Sequence, residues 1–257
     1  MDAEAFRAQL LPYLDQFQER LATAQGDWVV KGFIDLHQNI YTVSVDTKVI
    51  SKVVELMLFP AIAQFAAEHG YQVILSAQQN HYPDVTFITP DQTKIALDLK
   101  STYRVTPTLI SGFTLGAFTG YFRQRKSNKN ITFPYEQYSA HFVLGTIYSR
   151  NEGALSEQHI YALDDLPSIT SVIRDFTFLL QEKWRIASTR PGSGNTKNIG
   201  SILNIDALVQ GEGPFVPHGE TVFNDYWMNY LTADMARAID SEVVYRNLTD
   251  YFRWRSR

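Results

Sequence analysis

The segment spanning residues 84–103 constrains the fold more than any other part of the chain. It contains two strand-like runs, 84–89 and 94–103, joined by a turn that includes Pro90. Because side chains alternate between the two faces of a strand, Asp98 and Lys100 share one face of the second run. Asp84 begins the first run and is expected to approach Asp98 across the ladder. The segment therefore predicts a hairpin that brings two carboxylates and an ammonium group together.

Two carboxylates and a lysine suit a site for a hard divalent cation beside a phosphate group. Mg²⁺ prefers oxygen ligands and keeps several waters, and it polarises a phosphate and acidifies a bound water. Lys100 would add positive charge where a phosphoryl transition state gains negative charge. A salt-bridged strand face is the alternative interpretation of Asp98-Leu99-Lys100 alone. Glu55, on the preceding predicted helix, is either a third carboxylate of the site or a solvated helix residue.

Composition limits the classes of protein to which this chain can belong. The chain has 257 residues, of which 45% are hydrophobic and 19% charged, so one large domain or two small lobes with a real core are expected. It has no cysteine, which excludes disulfides, thiolate zinc sites and cysteine nucleophiles. We see no export signal and expect no membrane span. These features predict a cytosolic protein.

The charge distribution is more informative than the net charge of −4, which by itself does not indicate a nucleic-acid partner. Two stretches, 99–135 and 183–205, contain no acidic residue. We predict a localised surface for a polyanion there, with chance clustering on solvated loops as the alternative. The basic residues of the two stretches are Lys100, Arg104, Arg123, Arg125, Lys126, Lys129, Lys183, Arg185, Arg190 and Lys197.

The rest of the chain alternates helical and strand periodicity. Residues 2–24 and 47–68 predict helices, and Pro60 is expected to kink or divide the second. Residues 27–43 indicate a β-ribbon, while 71–75, 135–148 and 176–186 contain further strand-like runs. Residues 223–238 and 243–254 read as closing helices. This order predicts an α/β (α+β) fold.

Several further motifs stand in one order along the chain. They are Asp46-Thr47-Lys48 ahead of Glu55, Gln78-Gln79-Asn80-His81-Tyr82-Pro83-Asp84, Asp98-Leu99-Lys100-Ser101-Thr102-Tyr103 and Gly192-Ser193-Gly194-Asn195-Thr196. Together they closely resemble the EcoRV-like Type II restriction endonucleases of the PD-(D/E)xK nuclease superfamily. The resemblance covers about 46–230 and is looser at both ends. It implies one restriction endonuclease domain over 1–257, with a mixed β-sheet flanked by helices. Residues 1–45 would form the dimerisation region, and 46–257 the catalytic and DNA-binding region.

The resemblance also implies a reaction. It implies a homodimer that hydrolyses double-stranded DNA with Mg²⁺, or Mn²⁺ as a substitute, leaving 5′-phosphate and 3′-hydroxyl ends. Asp84, Asp98 and Glu55 would bind metal, and Lys100 would assist the attacking water. A cognate DNA methyltransferase would act on the same site without being a stable partner, in a prokaryotic cytoplasm.

A target sequence follows from the same resemblance. Gly192, Gly194, Asn195 and Thr196 match the family's major-groove recognition loop, and Gln79 and Asn80 match a minor-groove loop, which together imply GATATC cut at its centre to blunt ends. The physical chemistry agrees, because Asn can pair bidentately with adenine and the Thr methyl can contact thymine. Lys197 and Gly120 depart from the family pattern, which puts affinity and salt dependence in doubt. Further DNA contacts are implied for Thr47, Lys48, Ser101, Thr102, Lys129, Lys197 and Asn198.

Three alternatives remain open from the sequence. One is a nuclease of the same superfamily with different or relaxed specificity, and another is a catalytically inactive DNA-binding protein on the same scaffold. The third is a metabolic enzyme, but there is no Walker-type or dinucleotide-binding glycine motif and no close-spaced histidine pair.

Overall fold

A computed structural model describes residues 1–78, 81–151, 159–192 and 197–257. The helices are α1 Ala3–Leu10, α2 Leu14–Leu21, α3 Thr47–Glu68, α4 Lys183–Ile186, α5 Ile205–Gln210, α6 Gly219–Asn229, α7 Ala233–Ala238 and α8 Leu248–Arg255. The strands are β1 Gly32–Ile34, β2 Ile40–Thr42, β3 Gln72–Leu75, β4 Val85–Ile88, β5 Lys94–Thr106, β6 Leu109–Ile110, β7 Thr114–Ala117, β8 Tyr138–Arg150, β9 Ile160–Tyr161, β10 Ile173–Glu182, β11 Ala187–Pro191 and β12 Asn198–Ser201. Short 3₁₀ turns cover Leu11–Tyr13, Gly120–Phe122, Tyr135–Gln137 and Leu163–Ser168.

The main sheet is mixed and has the strand order β10-β8-β5-β4-β3, with β6 paired to β5 outside this path. β5 and β8 run parallel, whereas β3, β4 and β5 form an antiparallel meander and β10 is antiparallel to β8. The long strands β5 and β8 lie at its centre. The predicted α+β class, with a mixed sheet flanked by helices, is therefore confirmed.

The side chains of β5, the second strand of the predicted hairpin, alternate between two hydrophobic cores, as the sequence predicted. Ile95, Leu97 and Leu99 face the core that packs beneath α1, α2 and α3. Ala96 belongs to the core on the opposite face, where α6 and α8 pack. Since Asp98 lies at the same parity as Ala96, it lies on the face of the second core, where it is 3% exposed.

Helix α3 continues through Pro60 without a break. Of the two predicted effects of Pro60, a kink or a division of the helix, the division is therefore wrong. Asp46 caps it by accepting hydrogen bonds from the amides of Lys48 and Val49, as the sequence predicted. Pro60 lies on the exposed face, where the carbonyl that it leaves without a donor can bind water.

Helix α3 also corrects the expectation that no apolar run approaches a membrane span. By length and composition it is long and apolar enough to cross a membrane. In the fold, however, one face of this helix, which includes Ile50, Val54, Leu58 and Phe65, is buried in the first core, while Leu56 on the other side is 61% exposed. A core helix of a globular protein passes the same test, so this feature is weak evidence for a membrane segment.

Two smaller sheets flank the main one. β1 and β2 pair antiparallel as the predicted ribbon, and β9 extends this ribbon to the order β1-β2-β9. The other small sheet has the order β11-β12-β7 and holds the ends of the segment between Gly192 and Lys197. The first sheet is thus a peripheral surface element, while the second borders the candidate site.

Candidate active site

The hairpin of β4 and β5 positions the two carboxylates. Asp84 directly precedes β4, in which Val85 lies opposite Leu97 of β5. The backbone amide of Leu99 donates a hydrogen bond of 2.7 Å to Asp84 Oδ2, which fixes this side chain beside Asp98. The predicted approach of the two acids across the ladder is therefore what the geometry shows.

Lys100 joins both acids. Its ammonium Nζ lies 2.8 Å from Asp98 Oδ2 and 3.8 Å from Asp84 Oδ2. Burial acts to lower the pKa of Lys100, but the Asp98 and Asp84 carboxylates outweigh it, and the pKa is raised above its usual value. Lys100 is therefore a cation at neutral pH.

The two acids differ in their surroundings. Asp98 is 3% exposed, and its buried Oδ2 atom accepts no well-aligned hydrogen bond even though Lys100 is close. Burial and the charge of Asp98 raise the pKa of Asp84 to about 7, against the smaller opposing effects of Lys100 and the Leu99 amide.

A crowded carboxylate pair of this kind fits a hard divalent cation. Such a cation takes oxygen ligands, and its charge would relieve the repulsion between Asp84 and Asp98 and occupy the lone pairs that Asp98 leaves unused. Among the described residues no group of three His, Cys, Asp or Glu side chains is arranged to hold a metal ion. The pair would thus leave coordination positions for water and phosphate, as Mg²⁺ commonly does.

Glu55 is near this pair but is not part of it. Its carboxylate forms a 2.7 Å ion pair with Lys52 on the exposed side of α3. It lines a separate cavity of about 300 Å³ together with Asp84, Lys100 and Ser101. The structure therefore brings Asp84, Asp98 and Lys100 together and leaves Glu55 at the margin.

The carboxylates and Lys100 open into a cavity of about 730 Å³. Lys129 and Asn198, both predicted DNA contacts, line this cavity, as does Gly120, where the sequence departs from the family. Sequence reasoning did not single out four other lining residues, since none has a distinctive charge. They are Thr119, Tyr121, Gln124 and Ser127, and the acid-free stretch 99–135 was the one signal that pointed to them.

The remaining predicted DNA contacts are distributed over several environments. Thr47 and Lys48 are exposed at the N-terminus of α3. Ser101 Oγ is hydrogen-bonded to Ser51 Oγ at 2.6 Å, and Thr102 is buried. The structure thus presents the two α3 residues to solvent and holds Ser101 and Thr102 within the sheet region.

The predicted recognition loop is described only at its base. Gly192 N donates a 2.9 Å hydrogen bond to the carbonyl of Asn198, and the exposed Lys197 accepts one from Phe118 N through its carbonyl. Gly194, Asn195 and Thr196, and likewise Gln79 and Asn80, lie outside the described residues.

Only part of the basic residues in the two acid-free stretches reach the surface. Lys126, Lys129, Arg190 and Lys197 are exposed. The Arg123 guanidinium donates to the Tyr230 carbonyl, that of Arg125 donates to Asn224 Oδ1, and Lys183 is buried. Charge composition alone could not distinguish the exposed basic residues from Arg123, Arg125 and Lys183. These three lie in tertiary contacts between segments that are distant in sequence.

Comparisons with known proteins agree with this geometry. The family model described as restriction endonuclease EcoRV matches residues 24–256. The Type II restriction enzyme EcoRV of Escherichia coli is 39% identical to this chain over 228 residues, which is 88% of this chain and 90% of that protein. The similarity therefore extends over the core, the hairpin and the segments that border the cavity.

Proposed function

Since the chain belongs to the restriction endonuclease EcoRV family and is a Type II restriction endonuclease of that type, we propose that it cleaves double-stranded DNA with Mg²⁺ at GATATC. The cut would fall at the centre of the site and leave blunt ends with 5′-phosphates. Mn²⁺ would substitute for Mg²⁺.

One observation carries this proposal. The Lys100 ammonium lies within 3.8 Å of both the Asp84 and the Asp98 carboxylates, and all three groups face the same 730 Å³ cavity. A salt-bridged strand face needs only one acid and no cavity. Two acids, a lysine and an open polar cavity together support phosphodiester hydrolysis.

The chain's own residues have distinct tasks in the proposed reaction. Asp84 and Asp98 would hold the cation, which when bound supplies Lewis acidity towards a phosphate oxygen. Lys100 stabilises negative charge that develops on the phosphoryl group and helps to orient the attacking water. Glu55, at the margin, would assist at a second cation position next to Asp84. Lys129 and Asn198 in the cavity wall would contact the DNA backbone.

Target specificity is proposed from the recognition-loop residues. Gly192, Gly194, Asn195 and Thr196 would read the major groove, and Gln79 and Asn80 would approach the minor groove directly ahead of Asp84. Lys197 and Asn198 follow the loop and would fix its position on phosphates rather than read bases. The exposed Lys197 supports this role.

A palindromic target requires a reader with two-fold symmetry, so we propose a homodimer. The surface of the β1-β2-β9 sheet supports this assembly, because the cross-strand neighbours Phe33, Tyr41 and Ile160 share one face and are exposed. On the opposite face, Ile40 and Tyr161 are buried within the subunit. The face that carries Phe33, Tyr41 and Ile160 is thus available to a partner.

Cleavage of two matched plasmids tests the proposal. One plasmid carries a single GATATC site, and the other differs from it by one base pair within that site. We expect Mg²⁺-dependent linearisation of the first plasmid only, and run-off sequencing should place both cuts at the centre. Cutting of both plasmids, or at another sequence, would indicate a relaxed or different specificity.

An isosteric variant separates catalysis from binding. Asp98→Asn preserves the size of this buried side chain but removes its charge, so we expect single-turnover cleavage to fall by at least about 10³-fold. Binding of the GATATC duplex without metal should persist. Asp234→Asn, at an exposed position on α7, is the matched control and should cleave like the wild type. DNA binding without cleavage by the wild type, in both Mg²⁺ and Mn²⁺, would instead identify an inactive DNA-binding protein.

A further inference from the structure

Lys183 is a buried lysine that the proposed chemistry does not use. It is the first residue of α4, directly after β10, and is 2% exposed. Within the described part of the chain its ammonium group forms neither an ion pair nor a hydrogen bond. Since burial of an unpaired ammonium group is costly, its surroundings must supply another form of stabilisation.

That stabilisation comes from aromatic rings. Lys183 Nζ lies 4.0 Å from the ring centroid of Tyr82 and 5.5 Å from that of Tyr135. Tyr82 is in turn stacked on Tyr121, with centroids 5.3 Å apart and an interplanar angle of 12°. Cation–π attraction offsets part of the desolvation cost but does not neutralise the charge. The field of Lys183 therefore extends beyond its own contacts.

The charge lies directly beneath the candidate active site. Tyr82, under which the ammonium sits, immediately precedes Pro83-Asp84, and Tyr82 and Tyr121 both line the cavity. Gly116, another lining residue, has a φ of +85°, and a Cβ at this position would stand 3.9 Å from Lys183 Nζ and 2.9 Å from the Tyr121 hydroxyl. Only one layer of residues thus separates Lys183 from the cavity.

The sheet register explains this placement. Glu182 lies opposite Phe142 of β8, and Phe142 lies beside Leu97 of β5. The chain therefore leaves the sheet at Lys183, and β8 lies between this point and Leu97, the residue that precedes Asp98 in β5. The lysine and the carboxylate are brought to the same level of the sheet by three strands that are far apart in sequence.

Several charged groups face Lys183 from the neighbouring elements. Asp98 and Glu220 favour its charged form, whereas Lys100 and Arg125 disfavour it, and burial lowers its pKa to about 7. His141 is buried nearby with its pKa well below the usual value, mainly because of burial and then of Lys183 itself, so it is neutral. An anion in the cavity would favour the charged lysine, and a cation at the carboxylates would disfavour it.

We propose that Lys183 is a positioning residue whose charge acts through Tyr82 and Gly116 on the cavity, an inference that rests on the proposed function. The charge attracts a DNA phosphate into the cavity and weakens the hold of Asp84 and Asp98 on a divalent cation. A single positive charge attracts an anion and repels a cation, so it strengthens phosphate binding and weakens cation binding. A residue that only filled space would produce neither.

Lys183→Met tests this inference, because methionine keeps an unbranched apolar stem and removes the charge. Lys94→Met is the matched control, since Lys94 also lies over an aromatic ring, 5.1 Å from the Phe133 centroid, but about 13 Å along β5 from Asp98. Calorimetric titration with Mg²⁺ alone should show about three- to ten-fold tighter binding by Lys183→Met. Single-turnover cleavage of a GATATC duplex at saturating Mg²⁺ should be about ten-fold slower. Lys94→Met should match the wild type in both measurements.

An unchanged Mg²⁺ affinity in a folded Lys183→Met protein would overturn the inference, and so would weaker Mg²⁺ binding. Thermal melting reports whether the variant folds, and Lys183→Gln replaces it in the same titration if it does not. Failure of the wild type to cleave any DNA would contradict the proposed function, whereas the Mg²⁺ titration of the variants would still decide the role of Lys183.

Discussion

Asp84 and Asp98 share a site but have different electrostatic roles in the metal-free protein. Asp98 is buried against Lys100, while Asp84 carries a pKa of about 7 because of burial and the charge of Asp98. The Asp84 carboxyl is therefore largely protonated below neutral pH. Since a carboxylate must be ionised to bind a cation, metal binding at this pair should release that proton.

The raised pKa of Asp84 predicts a pH-dependent stability. A carboxyl whose pKa rises from 3.8 to about 7 on folding makes the folded state bind more protons than the unfolded state between these values, so stability falls as the pH rises through this window. Asp84→Asn removes the titration but keeps an acceptor for the Leu99 amide. In EDTA, we expect Asp84→Asn to melt roughly 2–8 °C above the wild type at pH 7.5, after discounting for solvent screening.

The difference should shrink to roughly a quarter at pH 4.5 and vanish only below pH 3.8, because Asp84 of the unfolded protein is still mostly ionised at pH 4.5. Mg²⁺ should raise the melting temperature of the wild type more at pH 7.5 than at pH 5.5, and that of Asp84→Asn little at either. Scanning calorimetry at these pH values checks both statements. An equal difference in melting temperature at pH 4.5 and 7.5 would show that Asp84 titrates near its ordinary value.

Individual residues differed in how well sequence predicted their environment. Asp98 and Lys100 could be placed on one face because the alternation of a strand is a local property. The burial of Lys183 and Thr102 could not be inferred, because it depends on Tyr82, Tyr135 and strands that meet them only in the folded chain. Local periodicity thus found the chemical groups, and tertiary packing decided which of them reach the cavity.

At the scale of elements, β11 and β12 determine how the proposed recognition segment is held. Gly200 in β12 lies so close to β11 that a Cβ would stand 2.9 Å from the Arg190 carbonyl oxygen and 3.0 Å from the Gly192 amide nitrogen. Both contacts are with backbone, which cannot move aside as a flexible side chain would. The close approach of these strands therefore requires glycine at position 200.

Gly200→Ala should consequently separate β11 from β12 and loosen the base of the loop. We expect its preference for GATATC over a one-base variant to fall by about ten-fold or more, because base contacts need an accurately positioned loop. Competition binding with the two duplexes measures this preference. Binding to unrelated DNA, which depends on exposed lysines, should change little, and thermal melting controls for the fold. Retention of the full preference would show that the loop base tolerates the displacement.

The larger elements were predictable from sequence, and the reasons are physical. The hairpin of β4 and β5 and the cap of α3 at Asp46 follow from local patterns. The continuity of α3 through Pro60 depends on which face of the helix is solvated. The pairing of β9 with β2 joins segments about 120 residues apart, and no local pattern in the sequence indicates such a contact. Element type was thus a local property, while pairing was not.

At the scale of the whole molecule, the β1-β2-β9 sheet leaves an apolar face without cover from the described part of its subunit. Phe33, Tyr41 and Ile160 are cross-strand neighbours on this face and are 53%, 42% and 55% exposed, and Leu36, in the turn between β1 and β2, is 94% exposed. Neighbouring exposed apolar side chains of this kind are unusual on a monomer. It lies outside the cavity, so a second subunit could bind there while both cavities remain open to one duplex.

Phe33→Asp tests whether this sheet pairs two subunits. A charge at the centre of an isologous contact faces its own copy across the two-fold axis, so dimer affinity should fall by at least about 100-fold. Ile239→Asp, directly after α7, is the matched control because Ile239 is 63% exposed and Phe33 is 53% exposed. Sedimentation velocity should show a monomer for Phe33→Asp and a dimer for the control, and cleavage of GATATC should fall only in the former. A dimeric Phe33→Asp protein would place the subunit contact on another surface.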